Sequence, residues 1–404
     1  MSGVGKGVTT SSIGAVLQAR GLSVTLMKID PYLNVDAGTM NPTEHGEVFV
    51  MSSGLETDQD MGNYERFLGK SLPAENYMTS GMVYKYVIDK ERALGYEGKC
   101  VDPLYHISLE IHRRIEELAK HQQPDVVVIE IGGTIGEHNN ALFVDAARQL
   151  KIKHPSDVAF VLVGYMPMPA SIGEMKTKPL QNAVVQMNSY GVQPDFIIAR
   201  AEDPIDEKRR AKLSTMTGVP QGHIISAPDV GSIYDVPINF DRDGLGLHLA
   251  KELGLGAAES DLTGWRELKE KREAAESEVN IAIVGKYFET GDYVLSDAYV
   301  SIIEALRISA FHKKLKPVLH WLDTNSFSNE EQLAELKKYD GILVPGGFGS
   351  RGIDDKLRVI QYARENKIPY FGICYGMQLL VVEFARHVAK LAGAHTTEVN
   401  PNTP

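Results

Sequence analysis

The sequence contains little cysteine, a deficit of positive charge and no long apolar run, and each shortage excludes a class of protein. Two cysteines, Cys100 and Cys374, are too few for a disulfide framework or a four-thiolate zinc site. With 42 Lys+Arg against 53 Asp+Glu, the formal net charge is −11. That balance disfavours a nucleic-acid-binding protein, which needs a basic surface. No apolar run approaches the roughly 18 residues of a membrane span. The composition predicts a soluble, cytoplasmic protein that binds neither nucleic acid nor membrane.

What the sequence does contain is the pattern of two α/β domains. Its 404 residues exceed one ordinary domain of about 150 residues. Short apolar runs alternate with helical stretches, which is typical of a mostly parallel sheet with helices on both faces. The predicted domains are residues 1–255 and 279–404. We expect the charged segment between them, 256–278 with the run WRELKEKREAAESE, to be a solvated linker helix.

Apolar runs and periodicity predict the individual elements. Strands are expected at 23–29, 125–131, 157–163, 195–200, 223–227, 279–284, 316–322, 341–344 and 369–373. Helices are expected at 9–20, 107–121, 203–215 and 377–388, the first with Ile13, Val16 and Leu17 on one face. Both ends of the sequence are expected to be cut from a longer chain, because a glycine-rich turn normally follows a buried strand and the last residues close no element.

A glycine-rich turn at the start of the sequence has the composition of a phosphate-binding loop. Gly3, Gly5 and Gly7 surround Lys6, so that backbone N–H groups and one ammonium group could meet phosphate oxygens at a helix N-terminus. The motif is imperfect, because Gly7 stands where the standard loop has Ser or Thr. Taken by itself, the segment fits a flexible terminal turn equally well.

Acidic residues farther along the chain favour phosphate binding. The predicted strand before Glu130 ends in this carboxylate, and α/β nucleotide enzymes often hold Mg²⁺ at such a strand end. Glu56, Asp58 and Asp60 form a second acidic cluster, for which a solvated loop is the more common structure. Several lysines are candidate phosphate ligands, although each alone is more often a surface residue: Lys28, Lys176, Lys178 and Lys212.

The sharpest feature is Cys374, which lies between an apolar run and a helical pattern in the sequence GICYG. The flanking glycines allow the tight strand-to-helix turn that exposes a nucleophile, and the helix N-terminus would stabilise a thiolate. A glycine-rich turn at 345–349 could donate N–H groups to an oxyanion. The alternative, a buried structural cysteine, is disfavoured by the two glycines. We expect His387, on the following helix, to be too distant to serve as the base.

Together these motifs resemble a known family. GICYGMQ and PGGFGSRG resemble the class I glutamine amidotransferases. SGVGKG, MKIDPYLNVDAGTMNPTEHGEVFV, ETDQDMGNYERF, EIGGTIG, GEMKTKPLQ and VGKY, in that order, resemble the CTP synthase family over nearly the whole chain. The resemblance implies a P-loop-type α/β synthetase (amidoligase) domain at 1–255 and an incomplete, flavodoxin-like class I amidotransferase domain at 279–404.

The resemblance also implies an activity and partners. Members of the family are cytoplasmic ligases that make CTP from UTP, ATP and glutamine in pyrimidine nucleotide biosynthesis, with Mg²⁺ as the cofactor and ATP as a co-substrate. They are usually homotetramers, dimers of dimers, and many form filaments. CTP and GTP are candidate effectors.

Roles for individual residues follow from the same resemblance. The expected ATP contacts are Gly3, Val4, Gly5, Lys6, Gly7, Val8, Asp60, Asp229 and Val230. The expected UTP or CTP contacts are Ser2, Glu137, His138, Asn139, Lys176, Thr177, Lys178, Pro179, Leu180, Gln181 and Lys212. Mg²⁺ is expected on Asp60 and Glu130, and glutamine on Gly347, Tyr375, Gly376, Met377, Gln378 and Glu398. The catalytic set is Cys374, as the nucleophile, with Lys6 and Lys28; the His and Glu of the family's Cys-His-Glu triad are expected beyond residue 404.

Two segments depart from the family pattern. After EIGGTIG the family reads Asp-Ile-Glu in its pyrimidine nucleotide site, whereas this sequence has Glu137, His138 and Asn139. The segment 100–108 reads CVDPLYHIS in place of a sequence close to VQVIPHIT. Both departures concern feedback inhibition by CTP and, to a lesser degree, the selection of UTP.

Two alternative functions therefore stand beside CTP synthesis. The first is a glutamine-dependent amidoligase that acts on a carboxylate, motivated by the altered segment 137–139. The second is a catalytically weak paralogue that forms filaments, which the presence of Lys6, Asp60, Glu130 and Cys374 disfavours.

Overall fold

The structure is a computed structural model that describes residues 3–171, 173–285, 289–290, 293–294, 296–327, 329–347 and 352–403. The chain divides into two compact units. Met1–Thr39 and Val48–Glu267 form the first, and Met40–Glu47 and Leu268–Pro404 form the second. Among the residues that the structure describes, no helix is long and apolar enough to cross a membrane.

Helices and parallel strands alternate along most of the chain. The helices are α1 (Lys6–Gln18), α2 (Pro42–His45), α3 (Asp60–Leu68), α4 (Ser80–Arg92), α5 (Ser108–Gln122), α6 (Ala141–Lys153), α7 (Lys178–Ser189), α8 (Glu207–Thr217), α9 (Val236–Arg242), α10 (Leu245–Glu252), α11 (Thr263–Glu273), α12 (Val300–His312), α13 (Glu330–Ala334), α14 (Ile353–Glu365) and α15 (Tyr375–His387). The strands are β1 (Val24–Asp30), β2 (Val48–Val50), β3 (Glu56–Asp58), β4 (Tyr77–Thr79), β5 (Val126–Ile131), β6 (Val161–Tyr165), β7 (Phe196–Ala201), β8 (Ile224–Pro228), β9 (Ser277–Gly285), β10 (Glu289–Thr290), β11 (Tyr293–Val294), β12 (Leu315–Asp323), β13 (Gly341–Val344) and β14 (Tyr370–Gly372).

Two three-stranded parallel sheets form the framework of the first unit, in the orders β4-β1-β5 and β6-β7-β8. In the first sheet, Lys28 of β1 lies beside Tyr77 of β4 and Glu130 of β5. The C-terminal ends of parallel strands share one edge of a sheet, so this register brings a lysine and a carboxylate together there. β2 and β3 form a separate antiparallel pair.

Helix α1 is buried around most of its circumference. Ile13, Val16 and Leu17, its predicted apolar face, are buried, and so are Ser11 and Ser12. The helix shares one core with residues of β1, β5, β7 and β8 and packs against α3, α9 and α10. This burial fixes the position of its N-terminus, where the glycine-rich turn lies.

The second unit is built on a parallel sheet of order β12-β9-β13-β14. All four strands were predicted from their apolar runs. The predicted linker helix corresponds to α11, none of whose residues is buried, as expected for a solvated charged segment. The boundaries predicted at 255 and 279 stay predictions.

Some predicted element boundaries were wrong for local reasons. The helix predicted from residue 203 begins at Glu207, because Asp206 accepts the backbone N–H of Arg209 and caps it there. The strand predicted from residue 157 begins at Val161, because a turn forms before it, closed by the N–H of Asp157 on the carbonyl of His154. The three-residue strand β4 was missed, since so short a run has no measurable period.

Candidate active sites

The glycine-rich segment forms the N-terminus of α1, but the helix begins at Lys6 rather than at the predicted residue 9. Gly5 caps the helix with φ 83°, in the left-handed region that favours glycine, and Lys6 is the first helical residue. A side-chain carbon at Gly7 would lie 1.8 Å from Asp60 Oδ1. Glycine at this position therefore lets the carboxylate of Asp60 approach the first turn of the helix. This approach is a physical reason for the departure from Ser or Thr in the phosphate-loop pattern.

Beside this turn, three carboxylates surround one buried lysine. Lys28 Nζ donates to Glu130 Oε1 at 3.0 Å, forms a short ion pair with Asp60, and lies 3.5 Å from Asp30 Oδ1. Lys28, Asp30 and Glu130 are each no more than 5% exposed. The cluster thus carries three potential negative charges against one positive charge in a nearly dry environment. The alternative of a solvated acidic loop does not hold for Asp60, whose side chain is only 21% exposed.

Hydroxyls of two buried tyrosines and one partly buried tyrosine complete the cluster, and none of the three was predicted from the sequence. The hydroxyl of Tyr64 donates to Glu130 Oε2 at 2.6 Å. Those of Tyr77 and Tyr32 donate to Asp30 Oδ2 at 3.0 and 3.3 Å. One of the three could have been found, because Tyr64 follows Asp60 by one helical turn in DMGNY and so shares its face of a helix.

Burial shifts the pKa values of this cluster. Desolvation raises the pKa of Asp60 to about 7 and that of Asp30 to about 6, against the opposing charge of Lys28. For Lys28, burial acts to lower the pKa, but Glu130, Asp30 and Asp60 together raise it well above the ordinary value. Desolvation likewise raises the pKa of Tyr64 well above its usual range. The lysine is therefore a fixed positive charge, and Tyr64 remains a hydrogen-bond donor.

The raised pKa of Asp60 predicts how stability depends on pH. A carboxyl whose pKa is higher in the folded than in the unfolded chain stabilises the fold when protonated. Its contribution is lost as the pH rises from about 4 towards 7. In EDTA, we expect the free energy of unfolding of the wild type to fall over this pH range by about 2 kcal/mol relative to that of Asp60→Asn. This value is reduced from the full shift because the side chain of Asp60 remains partly exposed. Urea denaturation at several pH values measures this difference, and a rise with pH would contradict the assignment.

Asp60 and Glu130 fit a Mg²⁺ site to which the substrate contributes ligands. Within the described ranges, no group of three or more His, Cys, Asp or Glu side chains is arranged to hold a metal ion. Mg²⁺, however, is commonly bound by one or two carboxylates together with phosphate oxygens and water. The excess of carboxylates over ammonium groups around Lys28 favours a cation, and Asp60 adjoins the helix N-terminus where phosphates would lie.

A pocket of about 400 Å³ adjoins the turn. Gly5 and Val8 line it together with Asp229 and Val230, so the structure brings together residues from two distant predicted ATP segments. Arg200, which also lines the pocket, was not predicted. Its guanidinium donates to the carbonyl of Val4 at 3.2 Å and to Asp229 Oδ1 at 2.8 Å. It therefore joins the glycine-rich turn to the end of β8.

The predicted pyrimidine nucleotide residues fall on separate segments with different exposure. Lys178 and Pro179 begin α7 and are exposed, as is Lys212 on α8. Thr177, Leu180 and Gln181 are buried, Gln181 Nε2 bonds to Thr177 Oγ1 at 3.0 Å, and Lys176 pairs with Glu174 at 2.7 Å. The three buried side chains pack at the start of α7, and Lys178 and Lys212 are the exposed cations of this set. Ser2 lies outside the described residues.

The departing segment 137–139 is exposed at the end of the β5 loop. Glu137 Oε2 accepts the backbone N–H of Thr134 at 3.0 Å, and this hydrogen bond lowers the pKa of Glu137. The carboxylate is therefore turned onto its own loop. His138 and Asn139 belong to the short helical turn that follows.

In the second unit, Cys374 has the strained geometry of an exposed nucleophile. It is exposed, precedes α15 directly, and has φ 53° and ψ −110°, an unusual backbone conformation for a residue other than glycine. A side-chain carbon at Gly376 would lie 2.1 Å from the carbonyl oxygen of Val344, and one at Gly372 would lie 2.5 Å from the backbone of Gly376. Both flanking glycines are therefore required by close backbone approach, and the prediction of a strand-to-helix turn is confirmed.

The structure describes part of the predicted surroundings of the Cys374 thiol. A side-chain carbon at Gly346 would lie 3.7 Å from Cys374 Sγ, so the glycine-rich turn that contains Gly347 adjoins the thiol. Residues 348–351 of this turn, and Lys286 and Tyr287 of VGKY, lie outside the described residues. His387 Nδ1 is 3.1 Å from Glu383 Oε1, a buried carboxylate that also binds Arg364. The histidine is thus engaged in packing α15 rather than in serving Cys374.

The predicted glutamine contacts cluster around the first turn of α15. Tyr375 and Gly376 are buried, whereas Met377 is 49% exposed. Gln378 Oε1 accepts the hydroxyl of Thr396 at 3.2 Å, which holds the C-terminal segment near the helix. Glu398, on that segment, is exposed, and its charge helps to raise the pKa of Tyr375, after burial as the main cause.

Comparisons with known proteins agree on one family. The model for "CTP synthase N-terminus" matches residues 1–255, and that for "Glutamine amidotransferase class-I" matches residues 294–401. The chain is 49% identical over 405 aligned positions to the CTP synthase of Pyrococcus abyssi, covering 100% of this chain and 74% of that protein. It is 45% identical over 406 positions to that of Methanopyrus kandleri, covering 100% and 75%. A solved Trypanosoma brucei CTPS glutaminase domain with bound acivicin is 35% identical over 31% of this chain and 47% of that chain, with a TM-score of 0.28.

Proposed function

The chain belongs to the CTP synthase family, and we propose that the cluster around Lys28 and the turn at Cys374 are the two reaction centres of a glutamine-dependent ligase that converts UTP to CTP. The observation that carries the proposal is the approach of the Asp60 carboxylate to Gly7. It supports a common site for a phosphate-binding helix N-terminus and a metal-binding carboxylate. ATP is the co-substrate of the family, and the pocket lined by Asp229 and Val230 is the proposed site of its base.

In the synthetase unit, the proposed reaction begins with transfer of the γ-phosphoryl group of ATP to O4 of the uracil ring. Backbone N–H groups at the start of α1 and the ammonium of Lys6 orient the phosphates, and the fixed charge of Lys28 offsets charge on the transferring group. Asp60 and Glu130 would hold Mg²⁺, which would neutralise phosphate charge when bound. Ammonia then attacks C4 and phosphate leaves, which gives CTP, ADP and inorganic phosphate.

In the amidotransferase unit, Cys374 releases the ammonia from glutamine. The thiolate attacks the amide carbon of glutamine, ammonia leaves, and water hydrolyses the thioester to glutamate. Cys374 is exposed at the N-terminus of α15, where its sulfur is accessible to glutamine. Gly347, Tyr375 to Gln378 and Glu398 are the proposed contacts of glutamine.

Chromatographic detection of CTP tests this function directly. The protein, including the segment expected to carry the His and Glu of the triad, is incubated with UTP, ATP and Mg²⁺, and with either ammonium or glutamine as the nitrogen source. CTP from both sources would support both centres, and CTP from ammonium alone would support the synthetase centre and contradict the proposed use of glutamine. Absence of CTP from a folded protein, with amidation of a carboxylate substrate instead, would favour the alternative amidoligase.

The altered segment 137–139 predicts weak feedback by CTP. Oε2 of Glu137 accepts the N–H of Thr134 on its own loop, a hydrogen bond that competes with contact to a pyrimidine nucleotide. We expect the inhibition constant for CTP to decrease severalfold when residues 137–139 are replaced by Asp-Ile-Glu, the sequence usual in the family. Initial rates at fixed UTP and increasing CTP measure the inhibition constant. The control is Lys85→Met, which removes an exposed lysine of α4. An unchanged inhibition constant would contradict the prediction.

The assembly belongs to the same proposal. A cytoplasmic homotetramer, a dimer of dimers that can extend into filaments and responds to GTP, is what membership of the family suggests. Light scattering after size-exclusion chromatography measures the mass of the particle, and a monomeric active enzyme would contradict the tetramer.

A further inference from the structure

We propose that Tyr64 is a positioning residue for the metal-binding carboxylate Glu130, an inference that rests on the function proposed above. Tyr64 is fully buried, and Glu130 is 5% exposed. The tyrosine hydroxyl donates to Glu130 Oε2 at 2.6 Å, while Lys28 Nζ donates to Oε1 at 3.0 Å. Each oxygen of the carboxylate is therefore held by a different donor, and the plane of the carboxylate is fixed.

Helix α3 carries both the carboxylate of Asp60 and the tyrosine that holds Glu130. Asp60 is the first residue of α3 and Tyr64 lies one turn later, on the same face of the helix. Asp60 reaches Lys28 and the turn at Gly7, and Tyr64 reaches Glu130 on β5. Since α3 packs against α1 and β1, the tyrosine hydrogen bond fixes the position of Glu130 relative to Asp60.

This arrangement has a consequence for metal affinity. Groups that hydrogen-bond to metal ligands orient them, and their loss commonly weakens metal binding by 10- to 100-fold. Without the hydroxyl of Tyr64, Glu130 would keep, among the described residues, its side-chain bond to Lys28 and could rotate about it. A rotated carboxylate presents its oxygens poorly to a cation shared with Asp60 and the phosphates of ATP.

The test measures Mn²⁺ binding to the full chain in the presence of a non-hydrolysable ATP analogue, from the electron paramagnetic resonance signal of free Mn²⁺. We expect Tyr64→Phe to raise the dissociation constant of Mn²⁺ about tenfold. In ammonium-dependent CTP formation, the Mg²⁺ concentration for half-maximal rate should rise similarly, with the KM for UTP changed less than twofold. A purely structural role would lower the unfolding temperature and leave the dissociation constant unchanged, which would overturn the proposal.

Tyr77→Phe is the matched control. It removes a hydroxyl from an equally buried tyrosine, which donates to Asp30 at 3.0 Å and is also hydrogen-bonded to the hydroxyl of Tyr32. Among the described residues, Tyr77 has no hydrogen bond to Glu130. We expect its loss of stability to resemble that of Tyr64→Phe and its Mn²⁺ dissociation constant to change less than twofold. Equal weakening of Mn²⁺ binding in both variants would overturn a specific role for Tyr64.

Glu130→Gln separates failure of this inference from failure of the proposed function. If this variant binds Mn²⁺ as tightly as the wild type, the metal assignment is wrong and the inference fails with it. If Glu130→Gln weakens binding but Tyr64→Phe does not, only the inference is wrong. Should both weaken it, adding Tyr64→Phe to Glu130→Gln is expected to change the dissociation constant less than twofold, because the hydroxyl then has no ligand to position. Additive effects would overturn the proposal.

Discussion

Replacement of Lys28 by methionine is expected to lower ammonium-dependent CTP formation by about a thousandfold, the upper end of the effect of a single electrostatic group. Lys28 is the charge that faces Asp30, Asp60 and Glu130 in a buried site, and its pKa lies well above the ordinary value. Methionine preserves most of the volume and removes the charge. The rate of CTP formation at saturating ATP, UTP and Mg²⁺ measures the effect.

The same substitution leaves three carboxylates without their counter-ion. Breaking a buried ion pair by removal of one partner commonly costs about 3–5 kcal/mol, so Lys28→Met alone could unfold the first unit. The double variant Lys28→Met with Asp60→Asn restores the original formal charge of the cluster. We expect it to recover most of the stability and none of the activity.

Two results would contradict this account of Lys28. Activity within tenfold of the wild type in either folded variant would show that the reaction does not need its charge. A comparable loss in Lys85→Met, which removes an exposed lysine paired with Asp89, would point to a general effect of charge. Such pairs at exposed helix positions contribute little to stability, so this control should behave as the wild type.

The second large effect is expected at Cys374. Cys374→Ala should abolish CTP formation with glutamine and leave CTP formation with ammonium within twofold of the wild type, because the thiol releases ammonia and takes no part in phosphoryl transfer. Alanine fits the strained turn as well as cysteine does, since both flanking glycines remain. Paired assays with the two nitrogen sources measure the difference.

A labelling experiment checks the nucleophile independently of turnover. A glutamine analogue with an electrophilic carbon is expected to add once to the wild type and to Cys100→Ala, as seen by intact mass, and not to Cys374→Ala. Cys100 is the matched control, because it is also exposed. Equal labelling of Cys374→Ala, or a full rate with glutamine in that variant, would contradict the role of Cys374.

The strand-to-helix turn at Cys374 shows which features local sequence can predict. The order of apolar run, Gly-x-Cys-x-Gly and helical pattern contains every residue that the geometry requires. The contacts that demand glycine at 372 and 376 involve neighbouring backbone and β13. A motif of this kind is predictable because its constraint is local and steric. The side-chain environment of the thiol depends on distant segments and could not be predicted in the same way.

The cluster around Lys28 shows the opposite case. Lys28 and Glu130 were singled out from their own segments, but nothing in either segment predicts that they pair. The register of β1 and β5 decides that, by setting Lys28 beside Glu130. Arg200 was missed for the same reason, because an arginine in a sequence does not reveal which carbonyl or carboxylate it will meet. For Tyr64, the spacing from Asp60 indicates a shared helix face but not the hydrogen bond to Glu130.

The sequence by itself determined the class of fold, most of the strands, the family and the types of residue that carry its chemistry, because these depend on composition, periodicity and short motifs. Only the tertiary structure decided which of these residues form one site. It set Asp60 against Gly7, enclosed Lys28 among three carboxylates and placed Tyr64 on Glu130. The physical reason is that the free energy of a buried charge depends on its partners and its desolvation, and both are fixed by contacts between segments far apart in the chain.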